Sequence, residues 1–275
     1  AARQGSPLVI GCGKGENYVA SDAPSFLKYT RKAMFLNDGD TAVIEKDKIK
    51  VYNSGKEVKR QVKELKWTIK QAEKSGYPHY MLKEISEQAQ AFEDTITGRI
   101  GTDFIEFENI DRKKLKGIKT IRILACGTSY HAAYTAKYLI EKYAGVNTFV
   151  DVASEARYSC PQVDKSTLLM AVSQSGETID TIEAFKNISH KAGYTIAVVN
   201  VVGSTLSRML HGVIYTHAGP EVGVAATKTF ISQLAVLYMF AFYMASLKGR
   251  LSRKSAGRAL KNLRKIPGFI RQILR

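Results

Sequence analysis

Two short stretches concentrate side chains suited to holding an anion. Cys126-Gly127-Thr128-Ser129 offers a glycine and two hydroxyls, and Ser173-Gln174-Ser175-Gly176-Glu177-Thr178 packs three hydroxyls, an amide and a glycine into one turn. Each follows a run that reads as a buried strand and precedes a helical pattern. The hydroxyls therefore fall beside the free N–H groups of a helix N-terminus, where backbone donors and the helix dipole favour negative charge. A lone Ser or Thr at such a place would serve as an ordinary N-cap. Two caps need two hydroxyls, whereas these turns supply five together with Gln174, which points to a bound anion. Neither turn matches GxxxxGK[ST] or GxGxxG, and Gly11-x-Gly13-x-Gly15 reads as turn glycine between short strands. Many hydroxyls without a nucleotide signature suit a small phosphorylated sugar or polyol.

A third strand-to-helix segment, Gly219 to Lys228, is rich in small residues that permit close backbone approach. Lys228 can form a Schiff base with a ketose and Glu221 can shuttle protons. Against these stand plainer roles, a helix-start or phosphate-neighbour charge for Lys228 and a structural ion pair for Glu221. The five histidines, His79, His131, His190, His211 and His217, lack metal-ligand spacing. His131, one turn into the helix after Gly127, is placed to line the pocket. Cys126 ends a strand and reads as a small core residue.

The elements that must position these turns form two regions. Residues 8–53 read as short antiparallel strands (PLVIG, NYVASD, AMFLN, TAVIE, IKVYN) separated by turns such as Asp38-Gly39-Asp40. From Val58 to Tyr77 the chain is charged and ends in Lys74-Ser75-Gly76-Tyr77-Pro78, which reads as a linker. Ile85, Ala89, Phe92 and Ile96 then give residues 81–97 one apolar helical face. From Thr120 the grammar becomes strand, turn, helix, strand. IRILAC, TFVDV, TLLMAV, TIAVVN and VIYTH alternate with amphipathic helical patterns, predicting an α/β fold, a doubly wound parallel sheet with helices on both faces.

Composition agrees with a folded chain: 275 residues, 45% hydrophobic and 24% charged, enough for one large or two modest cores. The net charge of +16 implies attraction to anions. Ten of the basic residues lie between Lys248 and Arg275, which contains no acidic residue and reads as a solvated helix face or an interdomain contact. No zinc-finger, RNP-type or helix-turn-helix pattern appears, so nucleic acid is not expected as a partner. Three scattered cysteines, Cys12, Cys126 and Cys160, form neither a disulfide framework nor a CxxC site and suggest a reducing, cytoplasmic setting. The apolar run Phe230–Leu247 has about the length of a membrane span, but its Gln233 and its place in an α/β pattern predict a buried helix. The start at Ala1 suggests a piece of a longer chain.

Three strings in order, ACGTSYHA (125–132), SQSGETIDT (173–181) and GPEVGVAATKTF (219–230), resemble the first sugar-isomerase (SIS) domain of the glutamine–fructose-6-phosphate aminotransferase family, the glucosamine-6-phosphate synthases. Upstream, GSPLVIG (5–11), ENYVASD (16–22), EVKRQ (57–61), GYPHYMLKEI (76–85) and TGRI (97–100) resemble the end of that family's glutaminase domain and its linker, so the likeness covers essentially the whole chain. The resemblance implies an end portion of an N-terminal-nucleophile glutaminase domain at 1–66 and a linker at 67–80. Residues 81–275 would form the first SIS domain, with a leading helix and a basic tail. It also implies a fragment of an enzyme that makes glucosamine 6-phosphate from fructose 6-phosphate and glutamine. Within it, Thr128, Ser129, Ser173, Gln174, Ser175 and Thr178 bind the sugar phosphate and Val224 lines the site. No metal and no cofactor are implied, and a Schiff-base role for Lys228 finds no support there. Catalytic residues of both half-reactions are expected outside this chain, and pairing into a homodimer is expected through SIS domains. The alternative is a stand-alone sugar-phosphate-binding SIS module acting as a sensor or regulator.

Overall fold

A computed structural model describes residues 1–65, 67, 73–159 and 161–275. Part of the expected 67–80 linker, and Cys160, lie outside the described residues.

The five strands expected over 8–53 form, and two more follow. β1 (Val9–Cys12), β2 (Asn17–Ala20), β3 (Lys32–Phe35) and β7 (Val62–Glu64) make one antiparallel sheet in the order β2-β1-β3-β7. β4 (Asp40–Ile44), β5 (Ile49–Asn53) and β6 (Lys56–Val58) make a second. The charged stretch read as linker from Val58 is thus corrected at its start: Val62 pairs with Met34 and Lys63 with Ala33. Three residues that alternate around a lysine carry too little periodicity to announce a strand, and the partner β3 supplies the order. Phe26, Leu27 and Phe35 centre one small core and Ile10, Leu36 and Val51 the other.

The single helix expected over 81–97 is two, α1 (Tyr80–Ser86) and α2 (Gln88–Ile96), which meet at Glu87. Ala89, Phe92 and Ile96 are buried as the spacing requires, but the buried side chains of α1 are Lys83 and Glu84, while Met81 and Leu82 are exposed. α1 docks through charge and hydrogen bonding, which an apolar pattern cannot reveal.

After α3 (Arg112–Lys116) the chain builds a five-stranded parallel sheet. Its elements run β8 (Thr120–Ala125), α4 (Gly127–Leu139), β9 (Asn147–Val152), α5 (Ala153–Ser159), β10 (Thr167–Ser173), α6 (Ile179–Ile188), β11 (Tyr194–Val199), α7 (Thr205–Met209) and β12 (Gly212–Tyr215). All seven residues of β10 and all six of β11 are buried, as strands covered on both faces must be. Alternate residues serve opposite layers. Ile121, Ile123, Met170 and Val198 face the layer holding α4 and α8 (Lys228–Leu247). Leu124, Leu169, Ala171 and Val199 face α6, whose Ile182, Phe185 and Ile188 fall on one side.

Spatial order is β12-β11-β10-β8-β9. The chain leaves β8 toward β9 and then returns to the other side of β8 as β10. Its connections therefore diverge between β8 and β10, and a crevice opens there at the carboxyl ends of the strands.

α8 is long and apolar enough to cross a membrane, yet Ala235, Val236, Leu237, Met239, Phe240 and Ala241 are all buried against α2, α4 and the turn at 140–144. It is a core helix, as its setting predicts. The basic tail folds as α9 (Arg253–Leu263) and α10 (Ile266–Ile273). α10 packs on α2, where Arg271 pairs with Glu93 at 2.7 Å.

Candidate functional site

The two hydroxyl-rich turns lie on the two sides of the divergence point. Ala125 and Val172 are register partners in neighbouring parallel strands, so Cys126 and Ser173 leave the sheet side by side. Gly127 has φ +54°, the left-handed conformation that glycine adopts without cost, and starts α4. Thr128 and Ser129 occupy the first turn of that helix. Its N-cap, Cys126, makes no side-chain capping bond, and neither does Thr178 at the N-cap of α6. The hydroxyls are therefore not spent as helix caps.

Most are engaged within the site. Ser173 is buried; its Oγ accepts from the Gly176 N–H at 3.0 Å and lies 2.9 Å from Thr178 Oγ1. Ser175 Oγ accepts from the Glu177 N–H at 3.1 Å. Gln174 offers its backbone carbonyl to the Asn200 N–H at 3.0 Å, and the Gly176 carbonyl accepts from the Leu206 N–H at 3.0 Å. Gly176 has φ +65°, and a Cβ there would come within 2.2 Å of Ser204 Oγ, so no other residue fits. Across the crevice, the buried Gln233 of α8 donates from Nε2 to Ser129 Oγ at 3.0 Å. This amide within the apolar run thus has a partner in the site.

The remaining candidates separate. Val224 stands fully exposed on the loop between β12 and α8. That loop is held by Glu84, whose carboxylate accepts from the N–H groups of Val222 (2.7 Å) and Gly223 (3.1 Å). Glu221 is buried and accepts from the N–H groups of Thr227 (2.9 Å) and Thr229 (3.3 Å) and from the Thr229 hydroxyl, so it braces the start of α8. Lys228 is buried and bonds Glu87 at 2.7 Å. Lys228 takes the helix-start role foreseen for it, whereas Glu221 braces backbone N–H groups in place of the ion pair expected. His131 is exposed on α4, beside Tyr130, and does not line a buried pocket.

Sequence reasoning missed Glu177. It is buried, and its carboxylate accepts from the Thr205 N–H and hydroxyl, each at 2.7 Å, and pairs with Arg3 at 3.5 Å. The available signal was chemical: a carboxylate inside an anion-binding turn calls for a compensating cation. A cavity of about 870 Å³ lies elsewhere, lined by Glu87, Gln90, Arg99, Asn200, His217 and Lys228 among others; none of the hydroxyl-turn residues contributes to it.

The SIS domain family matches residues 114–243, a span that holds the whole parallel sheet and both turns. Residues 114–243 are a SIS domain. The SIS fold is shared with the C-terminal domain of glucosamine-fructose-6-phosphate aminotransferase from Francisella tularensis, with a TM-score of 0.68 and 40% identity, covering 71% of this chain and 56% of that one. Glucosamine-6-phosphate deaminase from Thermotoga maritima shares the fold at 19% identity and a TM-score of 0.52, over 70% of this chain and 54% of that one. Beyond the SIS domain, similarity to curated relatives named glutamine–fructose-6-phosphate aminotransferase [isomerizing] runs nearly end to end along this chain. The protein of Methanosarcina acetivorans is 44% identical over 99% of this chain, and that of Thermus thermophilus 42% identical over 100%. The chain spans 45% and 46% of the length of those two relatives.

Proposed function

We propose that this chain is the sugar-phosphate-binding portion of a glutamine-dependent amidotransferase that forms glucosamine 6-phosphate from fructose 6-phosphate. The observation that carries this reading is the placement of two uncapped, hydroxyl-rich helix starts on either side of the divergence point of the SIS sheet. The names of the relatives that run along the chain support the reaction. Residues 1–66 would then be the end of the glutaminase half, 67–80 its linker, and two copies would pair through their SIS domains.

In this reading the phosphate sits against the N–H groups that open α4 and α6, with donors from Thr128, Ser129, Ser173, Ser175 and Thr178 around it. Charge-assisted hydrogen bonds of this kind contribute about 1.5–3 kcal/mol each, and two helix dipoles add to them. The Gln174 amide reads sugar hydroxyls, and Val224 closes against the ring. Calorimetric titration with fructose 6-phosphate and glucosamine 6-phosphate tests the site, with unphosphorylated fructose as control. Binding that requires the phosphate is expected; a folded chain that binds neither phosphorylated sugar would overturn the reading.

A further inference from the structure

The 173–178 turn carries an internal contradiction if it holds a phosphate. Its Glu177 side chain is 5% exposed and lies in the same turn whose N–H groups and hydroxyls would meet a dianion. An unpaired buried carboxylate would repel that ligand. The carboxylate cannot simply be dispensed with, since it ties the turn to the start of α7 through both the N–H and the hydroxyl of Thr205.

The cation that answers Glu177 comes from the far end of the sequence. Arg3, 4% exposed, donates from Nη2 to Thr205 Oγ1 at 2.8 Å, lies 3.5 Å from Glu177 Oε2, and donates from Nη1 to the Leu36 carbonyl at 2.6 Å. Its own backbone is fixed in the N-terminal sheets, where the Arg3 N–H donates to the Asp40 carbonyl at 2.8 Å. Arg208 of α7 joins the same junction from the other side, reaching Leu36 O, Asn37 Oδ1 and the carbonyl of Gly203. The ion pair with the turn, however, is made by Arg3.

We infer that Arg3 is a positioning residue for the sugar-phosphate turn: by neutralising Glu177 it lets a bracing carboxylate coexist with bound phosphate, and so couples sugar-phosphate binding to docking of the N-terminal sheets. This rests on the reading of the turns given above. It also goes beyond that reading, because it makes the N-terminal region, through Arg3, part of the affinity of the site.

The test uses the 275-residue chain and calorimetric titration with fructose 6-phosphate, alongside urea midpoints. Arg3→Met keeps much of the stem and removes the charge; affinity should fall roughly tenfold, within the usual range of coupling between sites. Adding Glu177→Gln removes the charge that needed an answer while keeping an acceptor for Thr205. Arg3→Met/Glu177→Gln should therefore recover to within about threefold of the parent, a rescue that mere loss of packing would not produce. Arg3→Lys should retain most of the affinity. Unchanged binding by Arg3→Met, or equal weakness of the single and double variants, overturns the inference while leaving the turns as the binding site. If Arg3→Met does not fold, Glu177→Gln alone decides, since it should bind at least as tightly as the parent and weaker binding refutes the role. Absence of binding by the parent chain removes the functional reading and this inference with it.

Discussion

Two hydroxyls of the candidate site have different duties, and substitution separates them. Ser173 is buried and serves both the Gly176 N–H and the Thr178 hydroxyl. The sequence suggests exposed turn hydroxyls whose loss spares stability, and for Ser173 the structure corrects that expectation. Ser173→Ala should lower stability by about 1–3 kcal/mol, because it strands two polar groups in the interior, and weaken sugar-phosphate binding as well. Thr128, half-buried in the first turn of α4, offers the contrast. Thr128→Val keeps its shape and should change stability by no more than about 0.5 kcal/mol while costing roughly tenfold in affinity. Urea titration beside calorimetry checks both, and equal effects on stability from the two variants would contradict the division. Residue chemistry was largely legible in the sequence because clustering of hydroxyls needs no coordinates. Glu177 and Arg3 were not, since 174 positions separate them and no periodicity links one to the other.

At the scale of elements, the start of α8 depends on a side chain that looks catalytic in the sequence. Glu221 satisfies the N–H groups of Thr227 and Thr229 and places a carboxylate at the positive end of a 20-residue helix. Glu221→Ala should cost roughly 2 kcal/mol, the upper range for a lost cap, and should be read as a lower urea midpoint. A change of less than about 0.5 kcal/mol would show that the brace is dispensable. Strands β8 and β10–β12 and helices α4, α6 and α8 were legible because parallel strands buried on both faces and long apolar helices leave strong patterns. The break at Glu87 and strand β7 were not. α1 buries Lys83 and Glu84 through partners on the β12–α8 loop and at the Glu87 junction, and β7 takes its order from β3.

For the molecule as a whole, acid should loosen the N-terminal sheets before the SIS domain. Burial alone would raise the pKa of Asp40, but bonds from the Arg60 guanidinium, the Asn37 N–H and the Asn53 amide overcome it and hold the value at about 2. The ordinary value is 3.8, so the folded group ionises at lower pH than the unfolded one. Its contribution, about 2 kcal/mol, is complete above about pH 4 and fades as pH falls toward 2. Asp40 also sits next to the backbone that seats Arg3. Trp67 is the single tryptophan of the chain and packs against the core of the first N-terminal sheet. Its emission should therefore shift in this acid window ahead of the far-UV signal of the parallel sheet. Asp40→Asn should flatten the acid limb, and a limb unchanged by that substitution would assign it to other carboxylates.

The position of α8 also sets a timetable for synthesis. The sheet is complete in sequence at Tyr215, but α8, which covers much of one face, ends at Leu247. A nascent chain emerging from the ribosome therefore carries Ile123, Met170 and Val198 on a face that α4 covers only in part until the last helical turn of α8 clears the exit tunnel, and only then does the domain close as a unit. Translation that pauses between those two points leaves an open apolar surface, the kind that chaperones hold and that neighbouring nascent chains stick to.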